Sequence, residues 1–137
     1  MKNKFVLLAG LVIVVIIAIF ARSGNDMIKV VSPKANELVS SPLVVSGQAR
    51  GTWYFEASFP VRLVDANGVE LAVVPAQAQG DPATGEVSWM TEDFVPFLAT
   101  LNFAQPNSDT GKLILEKDNP SGLPEHADQV EIPVRFR

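Results

Sequence analysis

An all-β, two-sheet sandwich of about seven short strands, preceded by one N-terminal membrane-spanning helix, is the architecture this 137-residue sequence predicts. Three observations carry that expectation. From Trp53 the odd positions Trp53, Phe55, Ala57, Phe59, Val61 and Leu63 are apolar, while the even positions bring Tyr54, Glu56, Ser58 and Arg62, so the segment reads as a strand with one buried and one wet face. Ten prolines and nine glycines punctuate short apolar runs, a pattern of many turns and few helices. Before all of this, Phe5 to Ala21 is a run of 17 uncharged, almost wholly apolar residues.

The leader, residues 1–22, begins with Lys2 and Lys4 and ends at Arg22. A helix rising ~1.5 Å per residue covers roughly 26 Å over its apolar run, close to the core of a thin bilayer. Secretory signals have apolar regions of only ~7–15 residues, so an uncleaved anchor is favoured, although Ile19 and Ala21 offer a weak cleavage site. The lysines hold the N-terminus inside, and with either outcome the remainder of the chain lies on the extracytoplasmic side. Residues 23–27 form a short polar linker, and 28–137 form the β-domain.

Three of the 11 Lys and Arg precede Ser23, so eight cations stand against all 15 acids and the β-domain carries about −7. Such a domain lacks the basic stripe by which nucleic-acid binders neutralise phosphate, and it is unsuited to lying on an anionic membrane surface. There is no cysteine, hence no disulfide or thiolate metal site, and stability rests on packing.

In chain order, Ile28–Val31 alternates and leads into a loop bracketed by Ser32-Pro33 and Ser41-Pro42, stiffened because the residue before proline is held extended. Residues 43–49 are the next strand, with Gly47 marking a bulge or close backbone approach. The aromatic strand follows. At its end, a two-residue Asn67-Gly68 turn would set Asp65 beside Glu70, whereas a three-residue loop with Gly68 left-handed pairs Asp65 with Val69, Leu63 with Leu71 and Val61 with Val73; the apolar pairing predicts the bulged loop. After Val74 comes a Pro-, Gly- and Ala-rich loop, with Val87, Trp89 and Met90 returning to the core. Thr91-Glu92-Asp93 reads as a capped helical turn limited by Pro96. Strands are expected over 98–104, 112–117 and 130–136, with Pro133 on an edge or with its nitrogen facing away from a partner strand.

The segments SPKAN (32–36), VSSPLVVSG (39–47), ARGTWYFEASFPV (49–61), LVDANG (63–68), WMTEDFVPF (89–97), KDNPSGLPE (117–125) and IPVRF (132–136), in that order, resemble the immunoglobulin-like domain of bacterial spore germination. The resemblance implies an extracytoplasmic immunoglobulin-like module of a bacterial envelope protein, without catalytic residues. In the spore-germination proteins such a module accompanies a separate germination domain.

Chemically the domain offers little for catalysis. His126 is the single histidine, beside Glu125 and Asp128 in a loop. A hydrolase centred on it would need a serine brought close, and a solvated loop histidine is the preferred reading. Among metals only calcium suits the available oxygens; Asp65, Asn67 and Glu70 echo part of a calcium loop, but turn chemistry explains them better. No metal, cofactor or catalytic residue is therefore assigned. The candidate ligand-binding residues are Tyr54, out of phase with the buried aromatics, and Glu56 and Arg62, expected on the same face. The partner is then an envelope protein adding a strand to an open edge, or a wall polymer such as peptidoglycan stacking on Tyr54.

Overall fold

The computed structural model of the chain describes residues 25–137. The expected leader lies outside those residues, and among the described ones no helix is long and apolar enough to cross a membrane. Eight strands form the domain: β1 (Ile28–Ser32), β2 (Glu37–Leu38), β3 (Leu43–Arg50), β4 (Ser58–Asp65), β5 (Glu70–Ala78), β6 (Phe94–Leu101), β7 (Thr110–Glu116) and β8 (Gln129–Arg135). Two single-turn 3-10 helices, Gly51–Trp53 and Pro124–His126, are the only helical pieces described.

The expected all-β class holds, but the two sheets are one. All eight strands share a continuous hydrogen-bonded sheet in the order β1-β3-β6-β5-β4-β7-β8-β2, all antiparallel neighbours except β2 on β8, which run parallel. The join is narrow. β5 pairs with β4 from Glu70 to Gln77, then reaches β6 through only Gln77↔Leu98 and Ala78↔Phe97. A twisted sheet of this size curls on itself. Val45, Leu101, Val61, Leu63, Leu113 and Leu115 are all fully buried, and no helix covers them, so the β1-β3-β6 flank and the β4-β7-β8 flank close over each other. Phe59 and Phe97 meet edge to face across this core at 5.0 Å.

Strand phase follows the alternation where one face meets water. β6 buries Val95, Phe97, Ala99 and Leu101, and β7 buries Leu113 and Leu115. β6 starts at Phe94, so Pro96 lies within a strand, opposite Gln48, instead of closing a helical turn. The Thr91 hydroxyl does accept a hydrogen bond from the Asp93 amide, at 3.1 Å, but no helix follows. Of the residues expected to return to the core ahead of it, only Trp89 packs there; Val87 and Met90 stay exposed. Gly47 meets its expectation twice over: β1 bulges at Val31 beside it, and a Cβ there would lie 2.1 Å from the Lys29 carbonyl oxygen.

The β4–β5 hairpin splits its prediction. The loop closes as expected, with Gly68 at φ 81 and the Asp65 amide donating to the Val69 carbonyl at 2.9 Å. Beyond it a bulge at Leu71 shifts the ladder to Leu63↔Ala72 and Val61↔Val74, correcting the expected pairs. The shift turns Ala72, Val74, Ala76 and Ala78 inward, small residues that leave room for the large side chains of β4; Ala76 lies directly opposite Phe59. β5 also runs four residues past its expected end at Val74. Pro75 is accommodated opposite Pro60, where neither strand is asked for a ladder N–H and the β4–β7 ladder has already ended at Val61. Pro133 behaves as predicted. The Asn36 amide donates to its carbonyl at 2.7 Å, which places its nitrogen on the β2 side, away from β7.

Candidate functional site

The aromatic segment is not one strand. Gly51–Trp53 forms a 3-10 turn, and the chain then reverses between Phe55 and Ser58, which exchange both backbone hydrogen bonds at 2.9 and 3.1 Å. The two residues at the tip, Glu56 (φ 49) and Ala57 (φ 63), are both left-handed without being glycine. That is the geometry of a tight primed turn held by side chains that disfavour it. β4 begins only after this corner.

The corner re-aims every candidate. Trp53 stays fully buried, edge-on to Phe59 at 6.5 Å, its indole nitrogen without a partner among the described residues and its carbonyl accepting from the Asp118 amide at 3.0 Å. Tyr54, expected to be exposed, is 4% exposed, and its hydroxyl donates to the Val95 carbonyl at 2.6 Å. Its ring packs on Phe59 and burial pushes its phenol up. A phenol needs a partner when buried, and the turn sends it to β6. Phe55, expected inside, takes the outward place at 42% exposure. Tyr54, Glu56 and Arg62 therefore do not share a face: one is core, one is at a turn tip, and one is on the outer surface of β4.

Arg62 is the centre of that outer surface. Its guanidinium donates to Glu70 on β5 and, from Nε at 2.8 Å, to Glu116 on β7, and those hydrogen bonds raise its pKa, Glu70 first. Lys112 and Glu131 pair beside it at 3.5 Å across β7 and β8. Val73 lies directly opposite Arg62 on β5 and is 46% exposed. The result is a broad strand face of crossed charge pairs with one apolar flank. Pairs this exposed contribute at most about 1 kcal/mol each to stability, so their arrangement matters more as a pattern than as a brace.

The loop after β7 does bring a serine to His126, with Ser121 Oγ 3.2 Å from Nδ1. The hydroxyl, however, donates to Asn119 Oδ1 at 2.6 Å, and that amide is oriented by its own Nδ2 donating to the Leu123 carbonyl at 2.9 Å. Ser121 Oγ also accepts from the Leu123 amide. With its proton given to Asn119, the serine receives the imidazole N–H and is not activated by it; the cluster staples the loop. Asp65 is likewise committed to its turn. Its Oδ1 accepts from the Asn67 and Val69 amides at 2.8 and 2.9 Å. Among the described residues no three His, Cys, Asp or Glu side chains group as metal ligands.

One cluster escaped the sequence reading. Lys29 of β1 and Arg50 of β3 both sit over the Phe94 ring of β6, at 4.5 and 4.3 Å from its centroid. Its members come from three strands, and only the β1-β3-β6 pairing brings them together.

The strand order has the halves of an immunoglobulin-like domain, with the first strand divided between β1, beside β3, and β2, beside β8. No curated protein and no solved structure matches the chain. A family model matches residues 27–122, most of the described domain, and on that match the chain belongs to the family described as the immunoglobulin-like domain of bacterial spore germination.

Proposed function

We propose that this chain is a non-catalytic immunoglobulin-like module held at the bacterial cell membrane by its N-terminal apolar segment, with the domain on the extracytoplasmic side binding or scaffolding an envelope partner. Family membership over residues 27–122 is the observation that carries this reading. The 17-residue apolar run ending at Ala21 supports the anchor, because the first strand opens at Ile28 and leaves only a short tether. Support for binding comes from the outer face of β5, β4, β7 and β8. There Arg62, Glu70, Glu116, Lys112 and Glu131 form the charge ladder, and exposed Val73 adds apolar area. Flat faces of this kind discriminate partners by charge pattern.

A C-terminal epitope on the full chain tests the topology. In wall-stripped cells the expected result is a tag removed by external protease and a chain that stays with membranes through an alkaline wash; a protected tag or a washed-off chain overturns the anchored, outward reading. A photocrosslinker at Val73 tests the face, compared with one at exposed Val44 on the opposite flank. A discrete product at Val73 alone is expected, and equal labelling at both positions removes this face from consideration.

A further inference from the structure

We propose that Lys29, Arg50 and Phe94 form an oxyanion-binding site specific for a phosphate group. Eight cations serve the domain, and all 15 acids of the chain lie within the described residues, so every possible carboxylate partner is on view. Arg62, Lys112 and Arg137 take carboxylates within 4 Å, while the other five, Lys29 and Arg50 among them, do not. In a domain with nearly twice as many acids as bases, two cations instead converge on one aromatic ring. Glu92 and Asp93 are close in sequence to the ring, yet Glu92 offers Arg50 only its backbone carbonyl.

The arrangement is prepared for a ligand. Arg50 is stacked on Phe94 with its Cζ 4.3 Å from the centroid, and its Nη1 donates to the Glu92 carbonyl at 3.1 Å. Stacking and one tether fix the plane of the guanidinium, and Nε and Nη2 have no partner among the described residues. These are the two donors that match a pair of oxygens on a tetrahedral anion. The Lys29 ammonium adds a mobile charge at the same ring. Strand pairing holds the three together: Arg50 lies directly opposite Phe94, and Lys29 is in register with Gln48, two residues before Arg50. The planar fork and the compact second charge favour phosphate over a lone carboxylate, which one arginine would satisfy.

Two sources present such a group: free phosphate, including phosphate on a soluble polymer, and the headgroup of an anionic lipid. The site stands where the chain enters the domain, since the Arg50 amide donates to the Met27 carbonyl at 2.8 Å; on the anchored reading proposed above, either source can reach it.

The full chain in phosphatidylcholine nanodiscs, with 15N-labelled arginine, separates them through the Arg50 Nε–H resonance. A saturable shift on adding inorganic phosphate, weakened at least several-fold by Lys29→Gln but unchanged by Lys34→Gln, supports the site with phosphate as a free ligand. A shift already present in discs containing phosphatidylglycerol, and missing in phosphatidylcholine alone, supports it with the lipid headgroup as the source. If the resonance moves in neither case, or if Lys34→Gln weakens binding as much as Lys29→Gln does, general charge attraction is all there is and the proposal fails. Far-UV circular dichroism of each variant, expected to match the parent, shows that lost binding is not lost fold.

Discussion

Trp53–Ala57 and Phe59–Leu63 carry the same alternation of apolar and polar residues, yet one is a corner and the other a strand. In Phe59–Leu63 the period sets the phase, and Phe59, Val61 and Leu63 are all essentially buried. In Trp53–Ala57 the rule fails at Tyr54 and Phe55, because a 3-10 turn before them and two consecutive left-handed residues after them break the strand. Alternation records which side chains want to leave water; it does not say where the backbone turns. The comparison breaks most sharply at its two phenylalanines. Phe59 is 1% exposed and touches Trp53, Tyr54 and Phe97 edge-on, so Phe59→Ala is expected to cost about 3–5 kcal/mol in urea unfolding. Phe55→Ala, four residues earlier, should stay within about 0.5 kcal/mol. Similar losses at both positions would mean that the corner is part of the core.

The tyrosine gives the next largest effect. Tyr54→Phe keeps the ring but leaves the buried Val95 carbonyl without its donor, a loss of about 1–2 kcal/mol. Because burial raises the phenol above its ordinary value, the unfolded chain ionises first as pH rises past ~10. The stability due to neutral Tyr54 is thus complete below that point and declines above it, and Tyr54→Phe should remove this part of the alkaline decline. An unchanged alkaline limb in the variant would place the hydroxyl in water.

A smaller change of opposite sign tests the turn itself. Ala57 sits at φ 63, where a Cβ costs ~1–2 kcal/mol, so Ala57→Gly should stabilise by about 0.5–1 kcal/mol after the extra chain entropy of glycine is counted. Ala76→Gly, in the buried ladder opposite Phe59, should instead destabilise by about 1 kcal/mol. Two losses would remove the left-handed corner.

Much of the fold was legible because most strands have one wet face. β7, β8 and the second halves of β4 and β6 appear where alternation places them, and Gly68 disclosed its loop because few other residues tolerate its φ. The unread features come from competition between equal local choices. Leu71 and Ala72 are both apolar, so either phase of β5 satisfies the pattern, and only the volume of Phe59 opposite Ala76 decides. The joining of two expected sheets into one rests on Gln77 and Ala78, too few residues to leave a periodic trace. Of the candidate residues, Arg62 is outside as expected, and Tyr54 was misplaced because an aromatic with a polar tip suits either side of a surface. The Lys29–Arg50–Phe94 cluster could not be read at all, since its members come from three strands.

The smallest effect links the corner back to the strands. Asp118, whose amide caps the Trp53 carbonyl, has its carboxyl raised chiefly by partial burial and further by the negative charge of Glu56 at the turn tip, against a lowering by the Asn119 amide. Between the ordinary Asp value and this raised one the folded chain binds the proton that the unfolded chain releases. Stability therefore falls as pH climbs through that window, and the deficit is complete above it. Asp118→Asn should be slightly more stable than the parent at pH 7, and the advantage should vanish on acidification below the ordinary carboxylate range. Glu56→Gln should give a fraction of the same gain through Asp118. The two changes together should then give less than their sum, because the second has no charge left to relieve. Additive gains, or an advantage constant from pH 7 to pH 3, would mean that the turn tip and the loop after β7 do not sense each other.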